Sequence, residues 1–91
     1  MDRLFACDPA KRAWVLSERG FDLLALAEVF EDKSRRDYAD TRFDYGEVRR
    51  VTIGMALGRI FTVVYTMRGP VIWLITAWPA SRKERQHYEH R

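Results

Sequence analysis

Ninety-one residues, 47% hydrophobic and 32% charged, suffice for one core and not for two, because short chains bury a smaller share of their surface. That balance excludes a disordered, collagen-like or coiled-coil chain, and the longest apolar run, residues 71–78, is far below the roughly 20 residues needed to span a membrane as a helix. The formal net charge of +3 is uneven, −3 over residues 1–32 and +6 over residues 33–91, which permits a polyanionic partner without demanding one.

Residues 4–6 read as a short first strand. Asp8-Pro9 is a helix start: the aspartate caps free N–H groups, and proline is tolerated at the first helical position. Gly20 is a natural stop, since it accepts the left-handed conformation that ends many helices. Asp22 caps a second helix, with Leu23, Leu24, Ala27 and Phe30 at helical spacing. Residues 33–46 are polar, with Tyr38, Phe43 and Tyr45 as occasional anchors. They read as a loop with one edge strand around residues 36–39. Residues 48–55 alternate, with Val51, Ile53 and Met55 on one face. Gly58 marks a turn, residues 60–66 a central strand, Arg68-Gly69-Pro70 a second turn and residues 71–77 a third strong strand. Ser81-Arg82-Lys83-Glu84 has the form of a capping box and opens a final helix reaching about residue 89. Two tight turns between consecutive strands imply an antiparallel meander. The expected architecture is therefore α+β: two N-terminal helices and a C-terminal helix packed on one face of an antiparallel sheet, in a single domain. No basic segment followed by an apolar one opens the chain, so a cytoplasmic protein is expected. One cysteine, Cys7, allows no internal disulfide.

An ordered set of residues resembles the BrnT toxin family over roughly residues 4–89. The N-terminal part has Asp8-Pro9-Ala10-Lys11, Gly20, Ala27, Val29-Phe30 and Asp32. The middle has Asp40, Gly46-Glu47, Arg49 and Ile53-Gly54. Then come Val63-Val64-Tyr65-Thr66 with Arg68, and finally Ile75-Thr76-Ala77, Ala80, Glu84 and Tyr88. The resemblance implies a ribonuclease toxin of a bacterial type II toxin–antitoxin module, with a fold related to the RelE toxins. It also implies an RNA substrate and a cognate BrnA-like antitoxin of the ribbon-helix-helix kind, with toxins commonly held as a pair on an antitoxin dimer. Four positions depart from the family pattern. Val15 stands where the family has asparagine, and Arg19 where it has histidine. The closing strand, typically R-I-I-S-A-R, here has Trp73 and Trp78 in place of both arginines.

RNA cleavage without a metal needs a base for the 2′-OH proton, an acid for the leaving 5′-oxygen, and positive charge for the phosphorane. Glu47 and Arg49 lie two apart at the expected start of a strand, on one face. From spacing alone they read first as an exposed ion pair worth at most about 1 kcal/mol; the resemblance sets beside that a base next to a phosphate clamp. Arg68, at a strand-to-turn junction, can hold a phosphate bidentately or be a solvated turn arginine. Those three are the catalytic candidates. Lys11, Arg82, Arg85 and Tyr65 are the substrate-binding candidates. For Lys11 the competing reading is a solvated helix surface. Arg82 and Arg85, three apart on one helix face, can equally be solvated or dock an acidic partner. Tyr65 alternates with Phe61 and Val63, so its ring reads as core with only the hydroxyl available. His87 reads as a proton shuttle or, near the chain end, a bystander. Trp73 and Trp78, five apart, are expected on opposite strand faces, as core or interface before base-stacking platforms.

One cysteine and two histidines give no metal-ligand set with credible spacing, and no glycine-rich phosphate loop or cofactor motif is present. Cys7 has no nearby histidine to activate it. The basic stretch 82–91 lacks a helix-turn-helix around it, which argues against direct DNA binding. Two functions remain: an active endoribonuclease, or a toxin-fold module that binds an antitoxin-like partner or RNA without cleaving it. The second is motivated by the two tryptophans.

Overall fold

The computed structural model describes residues 3–90. The chain runs β1 (Leu4–Cys7), α1 (Pro9–Arg19), a 3-10 helix (Leu23–Glu31), β2 (Arg36–Ala39), β3 (Arg50–Ala56), β4 (Arg59–Arg68), β5 (Val71–Pro79) and α2 (Arg82–Glu89). The boundary residues act as their chemistry dictates. Asp8 accepts the Ala10 N–H, Asp22 accepts the Leu24 N–H, and Ser81 and Glu84 form a reciprocal capping box. The β3–β4 turn places Leu57 and Gly58 at φ 52° and 74°. Two successive left-handed residues match the twist of a two-residue hairpin.

The second helix is 3-10 and not α. Its fully buried residues are Leu23, Leu26 and Val29, a spacing of three. Side chains at i and i+3 eclipse in a 3-10 helix, so this period lays one apolar row on the sheet.

The sheet order is β1-β5-β4-β3-β2. Strands β2 to β5 form the expected antiparallel meander, but β1 runs parallel to β5, with Leu4 beside Val71 and Cys7 beside Leu74. The sheet is therefore mixed, which corrects the purely antiparallel expectation. As the last strand of the meander, β5 has one edge that no hairpin partner covers, and β1 pairs with it there.

A β-bulge changes the reading of β5. Val64 faces Thr76 while Tyr65 faces Leu74, leaving Ile75 as the extra residue. One inserted residue reverses the alternation beyond it. Trp73 opposes Thr66 and Trp78 opposes Thr62, so both indoles leave the same face. The expectation of opposite faces fails at Ile75.

The helical layer on one face buries Val15, Leu23, Leu26, Val29 and Phe30 against Phe61, Val63, Tyr65, Leu74 and Ala77. Aromatic rings lock this layer: Phe30 meets Tyr65 edge-on at 5.0 Å and Phe21 meets Phe61 at 4.9 Å. Helix α2 docks on the opposite face, not beside the other two helices. Its Glu84 accepts the Trp78 indole N–H at 3.0 Å and its His87 meets Tyr38 edge-on. None of its residues is buried, so polar contacts hold it rather than an apolar stripe.

Candidate active site

The segment between β2 and β3 builds one wall of the site. Thr66 on β4 donates to the Val48 carbonyl at 2.6 Å, and the Asp40 N–H donates to the Arg49 carbonyl at 2.8 Å. These bonds tack both ends of an exposed loop to the sheet. Strand β3 begins only at Arg50, so Glu47 and Arg49 lie in the loop and not at a strand start. They nonetheless meet: Arg49 Nε is 3.4 Å from Glu47 Oε2. Arg68, at the end of β4, places Nη2 4.0 Å from Glu47 Oε1. The carboxylate is thus bracketed by a guanidinium on each oxygen.

Both guanidiniums rest on aromatic shelves. Arg49 lies over the Tyr45 ring at 4.0 Å and Arg68 over the Trp73 ring at 4.2 Å. Stacking of this kind restrains a long cationic side chain without consuming its N–H donors. Lys11 comes from the first turn of α1. Together with Glu47, Arg49, Arg68, Trp73 and Asp8, it lines a cleft of about 390 Å³. Three cations face two carboxylates there, and the Asp8 carboxylate already caps α1. The cleft is formally cationic, with the Glu47 carboxylate held between two of its cations.

Four residues singled out in the sequence therefore line one cleft: Lys11, whose ammonium lies over the Trp14 ring at 4.6 Å, with Glu47, Arg49 and Arg68. Three do not join them. Tyr65 points to the helical face, where its hydroxyl donates to Asp37 at 2.5 Å. Arg82 and Arg85 are exposed on α2 outside the cleft, and Arg85 donates to the Ala80 carbonyl at 3.0 Å. Arg19 reaches back from α1 to Thr76 Oγ1 at 2.9 Å and the Ala77 carbonyl at 2.7 Å.

Two constellations escaped the sequence reading. The first centres on Asp37, which accepts from Tyr65, from Arg35 at 2.8 Å and from Arg50 at 2.5 Å. Burial works against this carboxylate, but the three hydrogen bonds outweigh it and hold its pKa below the ordinary value. Burial first, then the bond to Asp37, raises the Tyr65 pKa. Its members lie up to 30 positions apart in sequence, so no local pattern announces it. The second centres on Asp40, whose carboxylate takes both Arg42 donors at 2.9 Å and the Tyr45 hydroxyl at 3.2 Å. Hydrogen bonding from Arg42 brings its pKa down to about 2. The Asp-x-Arg spacing at residues 40–42 was its only sequence signal.

No group of three or more His, Cys, Asp or Glu side chains among the described residues is arranged to hold a metal ion. No helix among them is long and apolar enough to cross a membrane.

Fold and site together define a small α+β domain with a cationic cleft at one end of its sheet. Residues 7–84 match the model of a family described as the ribonuclease toxin, BrnT, of type II toxin–antitoxin system. The chain belongs to that family, and the cleft residues all fall inside the matched span. Membership in a type II system implies an antitoxin partner. No individually curated protein matches the chain.

Proposed function

We propose that the chain is a metal-independent endoribonuclease acting at the cleft of Lys11, Glu47, Arg49 and Arg68. The observation that carries this reading is the Glu47 carboxylate held between two guanidiniums. In this reading Glu47 takes the 2′-OH proton as that oxygen attacks phosphorus. Arg49 and Arg68 hold the non-bridging oxygens, where charge builds in the phosphorane. Lys11 binds the backbone from the α1 wall, and its ammonium supplies the proton to the departing 5′-oxygen. The products are a 2′,3′-cyclic phosphate and a 5′-hydroxyl end. The RelE relationship, the cytoplasmic setting, and restraint by a BrnA-like ribbon-helix-helix antitoxin carrying a pair of toxins belong to the same proposal.

The second reading is a weakened module that binds RNA or an antitoxin without cleaving. Trp78 favours it, because its indole N–H is committed to Glu84 on α2 and brings no charge to the position. Against it, Arg68 lies on Trp73, so a guanidinium still occupies the space above that tryptophan.

The test is expression from a tightly repressed promoter, alongside Glu47→Ala and Arg49→Ala, followed by cleavage with purified protein in excess chelator. Growth arrest with RNA decay, abolished in either variant and indifferent to chelator, supports the endonuclease. Normal growth and intact RNA from a folded wild type select the binding module.

A further inference from the structure

Loop 40–49 is mostly solvent-exposed: Phe43 and Val48 retain 69% and 74% of their accessible surface. Yet among the described residues Asp40, in this loop, is the one charged residue that is buried, its side chain 1% exposed. A buried carboxylate is unfavourable unless its oxygens are satisfied, and here they are. Oδ1 takes the Arg42 N–H at 3.2 Å and Nε at 2.9 Å, while Oδ2 takes Arg42 Nη2 and the Tyr45 hydroxyl. The same residue's N–H holds the Arg49 carbonyl. Asp40 thus grips the loop at two places, the ring that supports the Arg49 guanidinium and the Arg49 backbone.

We infer that Asp40 is a positioning residue for Arg49 and Glu47, acting through the Tyr45 shelf. Tyr45 is held at its hydroxyl by Asp40 and, at 5.8 Å edge-on, by Phe43. Its face carries Arg49, and Arg49 in turn reaches Glu47. The guanidinium is set in advance at the wall of the cleft. The consequence for rate rests on the cleft being the RNA site; the positioning itself does not.

The test uses the full chain and the variants Asp40→Asn, Tyr45→Phe and Tyr45→Ala, alone and combined with Arg49→Ala. The first readout is NMR of the Arg49 side chain, whose signals carry the ring-current shift of Tyr45. The expected result is loss of that shift in Asp40→Asn and partial retention in Tyr45→Phe, with Tyr45→Ala, which lacks the ring, as the zero reference. The second readout is RNA cleavage. Misplacing one reacting group by about 1 Å lowers a rate by up to roughly 100-fold. A fall in kcat of about 10- to 100-fold is therefore expected, with KM little changed and no further loss in the Arg49→Ala background. Unchanged Arg49 signals in folded Asp40→Asn would overturn the inference. So would an Asp40→Asn defect of equal size with and without Arg49, which marks a merely structural role. If Asp40→Asn does not fold, Tyr45→Phe decides by the same two readouts, because it keeps the ring and removes only the hydroxyl that Asp40 holds. If wild type leaves RNA intact, the endonuclease reading fails, and the Arg49 spectrum still decides the positioning.

Discussion

Replacing Gly54 by alanine sets two opposed effects against each other at one atom. Gly54 sits in the middle of β3 opposite Phe61, beneath the 3-10 helix. Its φ is not positive, so alanine fits the backbone. Narrowing the unfolded ensemble would by itself stabilise the fold by about 0.4–1 kcal/mol. The added methyl, however, would lie 3.2 Å from each of three atoms: the Arg35 Cβ, the Val29 Cβ and the Val29 carbonyl oxygen. None of these can rotate away, because two are first side-chain atoms and one is backbone. Relief requires the 3-10 helix to lift by a few tenths of an ångström. That helix is pinned by the Phe30–Tyr65 ring contact and, at its end, by Asp32 accepting the Met55 N–H at 2.8 Å. Overpacking of this kind costs about 1–3 kcal/mol. The net expectation is a loss of about 1–2 kcal/mol, each of which lowers Tm by roughly 4–8 °C in a domain of this size. Thermal unfolding followed by circular dichroism, with urea midpoints as a check, measures it. An unchanged or raised Tm would refute the reasoning and show that the helix–sheet contact yields freely.

Leu26→Ala removes a fully buried side chain from the apolar row of the 3-10 helix, and a loss of about 2–5 kcal/mol is expected in urea unfolding. Arg68→Ala should lower RNA cleavage by roughly 100-fold, about 3 kcal/mol of transition-state stabilisation. Stability should stay within about 0.5 kcal/mol, because the side chain is 53% exposed; a melting shift of several degrees would contradict that division. Asp40 is held at about 2 and Asp37 below its ordinary value, so both carboxyls ionise more readily folded than unfolded. Their stabilisation is complete above the unfolded pKa of about 4 and is lost as pH falls through the folded values. Urea midpoints should decline from pH about 4 towards about 2, less steeply in Asp40→Asn, and parallel profiles for the two proteins would contradict the assignment to Asp40.

Local chemistry made much of this fold readable in advance. Asp8, Gly20, Asp22 and the Ser81–Glu84 box bound their helices by short-range hydrogen bonds, and the turn at Gly58 and the edge strand Arg36–Ala39 follow the same logic. The cleft was partly readable as well. Lys11, Glu47, Arg49 and Arg68 carry charges that suit phosphate chemistry, and the fold lines one cleft with them. Tyr65 instead pairs with Asp37 on the other face, because its strand position directs it there whatever its hydroxyl could do.

By itself, the sequence determined the helix caps, the turns and which side chains carry charge, since those depend on neighbours a few residues away; the start of β3 at Arg50 was not among them. The tertiary structure alone decided the parallel pairing of β1 with β5, because the edge β1 joins, and its direction there, depend on strands distant from it in sequence. It also decided the bulge at Ile75, which turned Trp73 to the face of the cleft, where its ring carries Arg68. The docking of α2 on the far face, through Glu84 and Trp78, was decided there too. Each of these depends on residues brought together from distant parts of the chain, and a periodicity read along one strand or helix contains no information about its partner.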